Sequence, residues 1–62
     1  EYSLTELSSN LNEVVAKGEL TSEEAAKVHE LVSSGSISEI GKLFGKKMKT
    51  ISTVLKASEK ND

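Results

Sequence analysis

Ser36-Ile-Ser-Glu-Ile-Gly-Lys-Leu-Phe-Gly-Lys-Lys-Met-Lys-Thr-Ile-Ser-Thr-Val-Leu-Lys56 is the stretch whose reading decides the fold. It contains the sole Phe, the sole Met and five of the eight lysines. Apolar residues recur at helical spacing on both sides of Gly45, with Ile37, Ile40, Leu43 and Phe44 before it and Met48, Ile51, Val54 and Leu55 after it. Two readings fit. In one, Ser36 and Glu39 form a capping box that opens a helix over 37–44, Gly45 ends it in a left-handed cap, and a second helix runs to about 57. In the other, Ile37, Ile40, Phe44, Met48, Ile51 and Leu55 line one face of a single continuous helix. Gly41 and Gly45 would then lie inside it, each costing about 1 kcal/mol relative to Ala.

Upstream, the same start signal occurs twice more. In Tyr2-Ser3-Leu4-Thr5-Glu6-Leu7, Ser3 can cap, Glu6 can close the box and Tyr2 can pack on Leu7. Leu4, Leu7, Leu11, Val14 and Val15 continue as one helical face, and Gly18 is a stop, which predicts a helix over 4–17. Thr21 and Glu24 form the next box, with Leu20 placed to pack on Ala25. Ala25, Val28, Leu31 and Val32 then predict a helix over 22–33, ended by Ser33-Ser34-Gly35. Glu13–Lys17 and Glu23–Lys27 are spaced as i,i+4 ion pairs. Residues 58–62 read as a frayed tail. The chain has no proline and no strand-like alternation of useful length. The expectation is an all-α domain of three to four helices over 1–62.

At 62 residues, with 3% aromatic content and no cysteine, the chain has neither disulfide nor thiolate metal site to support a thin aliphatic core. Helix packing or self-association must supply stability, so a homodimer is expected. No run approaches the roughly 20 apolar residues of a membrane span, and the acidic first residues carry no basic signal region. A cytoplasmic setting and no membrane partner are therefore expected. Net charge is −2, but its distribution is lopsided. Residues 1–39 hold eight acids against Lys17 and Lys27, whereas 42–56 hold five lysines and no acid. A basic end on an acidic body points to an anionic partner. Every cationic side chain is Lys, so the bidentate guanidinium fork is missing.

From Ile37 onward the pattern resembles the helix-turn-helix of bacterial and phage DNA-binding proteins. Ile40-Gly41 stands where that motif has an apolar residue followed by a small one. Phe44-Gly45 matches its apolar residue and turn glycine, and Ile51 with Val54 matches the buried pair of the second helix. Lys46 departs from the pattern, standing where the motif buries an apolar side chain. The resemblance covers about a third of the chain. It implies that the second helix enters the major groove of double-stranded DNA, with Lys47, Met48, Lys49, Ser52 and Thr53 facing bases. Lys42, Lys46 and Lys56 would contact phosphates. The single-helix reading implies instead a helical bundle whose basic stripe meets an acidic protein partner.

Other constellations carry less. His29 has Ala25 and Ser33 as its i−4 and i+4 neighbours, so no ligand pair forms on its face. Gly41-x-x-x-Gly45-Lys46 is one residue short of a phosphate loop and lacks the following Ser or Thr. Glu23 and Glu24 sit at a helix start, where carboxylates complement the dipole. No nucleophile–base–orienter set can be assembled, so an enzyme, a cofactor, a catalytic metal and a small-molecule substrate are not expected.

Overall fold

A computed structural model describes residues 2–59, and within them four α-helices: α1 Leu4–Ala16, α2 Ser22–Ser33, α3 Ser38–Leu43 and α4 Met48–Ala57, with a 3-10 turn Gly45–Lys47 between the last two. The all-α expectation holds. Its stop signals hold too: Gly18 and Gly35 adopt left-handed φ values of 80° and 78°, ending α1 and α2 where a side chain would be strained.

The three capping boxes fare differently. The second is complete, with Glu24 N–H donating to Thr21 Oγ1 at 3.1 Å and Thr21 N–H to Glu24 Oε1 at 2.9 Å. The first is half made. Glu6 N–H donates to Ser3 Oγ at 3.3 Å, but the Ser3 N–H is already given to the Ser58 carbonyl at 2.9 Å, leaving no donor for the Glu6 carboxylate. The third does not form. Ile37 is itself helical (φ −58°, ψ −35°) and no side chain caps α3. The Glu39 N–H reaches the Ser36 backbone carbonyl at 3.0 Å instead of its hydroxyl.

Of the two readings of 36–56, the interrupted one describes the backbone. The reason for the break is not the expected one. Phe44 leaves helical geometry at φ −125° and ψ 37°, while Gly45 is not left-handed and opens the 3-10 turn. The expected left-handed cap at Gly45 is therefore absent. Open space surrounds the position of a Cβ at Gly41 and at Gly45, so neither glycine is required by close packing.

The core gathers one face from each helix. Leu7, Leu11 and Val14 of α1 meet Ala25, Val28, Leu31 and Val32 of α2, Ile40 of α3, and Ile51, Val54 and Leu55 of α4, with Leu20 closing the α1–α2 loop. Leu7, Val28, Ile40 and Ile51 are fully buried. Tyr2, Val15, Ile37, Phe44 and Met48 pack around this cluster, whereas Leu4 and Leu43 lie exposed. The tail expected to fray at residue 58 is held there. Ser58 is fully buried, Tyr2 and Glu59 form an antiparallel bridge, and residues 60–62 lie outside the described residues.

Candidate nucleic-acid interface

Helix α4 is amphipathic, and its burial pattern defines its outward face. Ile51, Val54 and Leu55 point into the core, so Lys49, Ser52, Thr53 and Lys56 emerge together on the other side, all exposed. The stripe carries two cations, two hydroxyls and no carboxylate. The Thr53 hydroxyl donates back to the Lys49 carbonyl at 3.1 Å, which leaves its oxygen lone pairs turned outward as acceptors.

The other candidates are distributed differently. Lys46 is exposed in the turn without an ion-pair partner among the described residues. Lys42 stands on α3 with its ammonium 3.6 Å from the Glu39 carboxylate. Two of the expected base-facing residues do not join the stripe. Met48 is half-buried and packs on the core, because it lies on the flank of α4 that leads toward Leu55. Lys47 belongs to the turn, and its Nζ donates to Glu24 Oε1 at 2.7 Å.

Carboxylates from elsewhere in the chain flank this surface, and sequence spacing assigns them only local roles, Glu24 in a capping box and Glu13 in a pair with Lys17. Glu24 Oε1 accepts from both Thr21 N–H and Lys47 Nζ. The Lys47 ammonium first, and the Thr21 N–H second, hold the Glu24 carboxyl below the usual carboxylate range. On the opposite flank, Glu13 and Glu19 border a groove of about 330 Å³ between α1 and α4, which Lys17 at the end of α1 and Lys49 of α4 also line. Thr50 Oγ1 donates to Glu19 Oε1 at 3.3 Å across that groove. These partners lie 23 and 31 residues apart in the chain, so no local pattern signals them.

Among the described residues no group of three or more His, Asp or Glu side chains is placed to hold a metal ion. No helix of these residues is long and apolar enough to cross a membrane. No protein-family model matches the chain, and no curated protein or solved structure resembles it significantly.

Proposed function

We propose that this chain is a small DNA-binding module of regulatory type, which presents α4 to the major groove and works as a homodimer in a cytoplasmic setting. The observation that carries this reading is the acid-free outward face of α4, with Lys49, Ser52, Thr53 and Lys56 exposed together. The interruption at Phe44–Lys47 supports it, since it makes α4 a helix separate from α3 whose outward face is open while its inner face stays in the core. Lysines reach phosphates or guanine acceptors, and the hydroxyls serve base edges or backbone. Two copies would set two α4 helices on successive half-sites.

Gel retardation of random duplex DNA at low and moderate salt tests the reading. Each neutralised phosphate contributes about −0.9 to the log–log salt slope, so the five lysines of 42–56 set a ceiling of about 4–5 for one chain. Retardation that weakens steeply with salt is the expected result. Its absence at low salt overturns the reading. The mixed-charge groove bordered by Glu13, Glu19, Lys17 and Lys49 favours a second reading, a helical protein-interaction module. That module would bind a charged protein partner and leave DNA unretarded.

A further inference from the structure

The five lysines are not electrostatically equivalent. Lys46, Lys49 and Lys56 have no carboxylate within ion-pair distance among the described residues. Lys42 has a loose contact with Glu39 at 3.6 Å, on side chains that are largely exposed. Lys47 is the exception. Its contact with Glu24 is short, 2.7 Å, and both side chains are partly covered. The carboxylate that holds it is itself fixed, since the same oxygen closes the α2 capping box with the Thr21 N–H. A carboxylate oxygen on a lysine ammonium makes the charge-assisted contact that a phosphate oxygen would make.

Resting on the DNA-binding reading, we propose that Glu24 is an intramolecular competitor of the DNA phosphate for Lys47, so that the free protein withholds one cation from its own interface. The consequence is a graded surface. Lys46, Lys49 and Lys56 meet the duplex at once, and Lys47 joins only when Glu24 lets it go. The pair is only partly covered, so solvent screens it and a phosphate that reaches Lys47 can displace Glu24 in part. The withheld contact lies in the turn that leads into α4, where a phosphate bond would fix the approach of the helix. Glu24 therefore lowers the affinity for any duplex without touching DNA itself.

The sign of one substitution separates this from a purely structural role. Glu24→Gln keeps a capping-box side chain, because Gln also serves that position, and removes the charge that holds Lys47. Glu23→Gln, at the exposed neighbouring carboxylate, removes the same formal charge without freeing Lys47. Salt titrations of duplex binding by wild type, E24Q, E23Q and the double variant E24Q/K47M are compared, with thermal melts confirming that each is folded. For each chain, the wild-type slope is expected between about 2.7 and 3.6, from the three free lysines and the loosely held Lys42. E24Q should bind several-fold more tightly at low salt, with a slope steeper by about 0.9. E23Q should change the affinity far less, and the double variant should lose the gain. Equal or weaker binding by folded E24Q, while wild type retards DNA, overturns the competition and leaves the DNA-binding reading intact. The same holds for equal gains in E24Q and E23Q. No retardation by any of the four proteins overturns both.

Discussion

Asn10, in the middle of α1, donates its side-chain amide to the hydroxyl of Ser58, 48 residues further along, at 2.9 Å. The same hydroxyl donates to the Val54 carbonyl at 2.7 Å, and the Ser58 carbonyl accepts the Ser3 N–H at 2.9 Å. One fully buried serine thus joins the start of α1, its middle and the end of α4. The orientation of α4 against α1, and with it the direction in which the Lys49–Lys56 stripe points, depends on this joint.

Ser58→Ala removes the acceptor for Asn10 and leaves its half-buried amide without that partner. The expected cost is about 0.5–1.5 kcal/mol, the net worth of a hydrogen bond whose donor water can still reach in part. In a domain this small, each kcal/mol lowers Tm by about 4–8 °C. A double-mutant cycle with Asn10→Ala should show coupling of at least about 0.5 kcal/mol. Additive losses in thermal denaturation would mean that the two side chains do not act together.

The caps should differ in worth. Thr21→Ala breaks a complete box and is expected to cost about 1 kcal/mol. Ser36→Ala should be nearly neutral, because its hydroxyl caps no helix. Urea denaturation of the two variants checks the contrast, and equal losses would contradict it.

The glycines divide in the same way. Ala at Gly18 or Gly35 forces a left-handed residue and should cost roughly 1–2 kcal/mol. Ala at Gly41 lies within α3 and meets open space, so it should stabilise by about 0.5–1 kcal/mol. Melting temperatures that fall for Gly41→Ala would show that α3 relies on its glycine.

The helix positions, the stops at Gly18 and Gly35 and most of the buried face of each helix were legible because they are local. The expected stop at Gly45, by contrast, is replaced by the break at Phe44, and Leu4 and Leu43 stay exposed. A cap needs its partner three residues away, and an amphipathic stripe needs only its own period. What escaped reading is long-range. Nothing near Ser58 announces that Asn10 will meet it, so the end of the chain read as loose. Nothing near Lys47 announces Glu24, so a tethered lysine read as free. Local charge spacing did not fix which pairs form. Neither Glu13–Lys17 nor Glu23–Lys27 is an ion pair among the described residues, and Lys27 takes Glu30 at 3.2 Å instead. At the candidate interface, Lys49, Ser52 and Thr53 follow from the period of α4 alone, and Lys56 falls on the same face. Met48 lies off that face, because its flank of α4 packs against the core.

Acid should loosen the contact between α2 and the turn. The folded-state pKa of Glu24 lies below its ordinary value of 4.5, so its contribution to stability is fully present above that value. It is lost as pH falls through the ordinary value toward the lowered one. E24Q should therefore show a shallower fall in Tm between about pH 5 and pH 3 than wild type. Parallel acid profiles would mean that the Glu24–Lys47 contact adds nothing to folding.

The most direct test of the central claim is an NMR titration of the isotope-labelled protein with a short duplex at low salt. Amide shift changes should concentrate on Lys46, Lys49, Ser52, Thr53 and Lys56, while the outward faces of α1 and α2, at Asn12, Ala26 and Glu30, stay unmoved. Raising the salt should reverse them steeply, as counterion release requires. Shift changes centred on α1 and α2, or none at a duplex excess at low salt, would contradict the account.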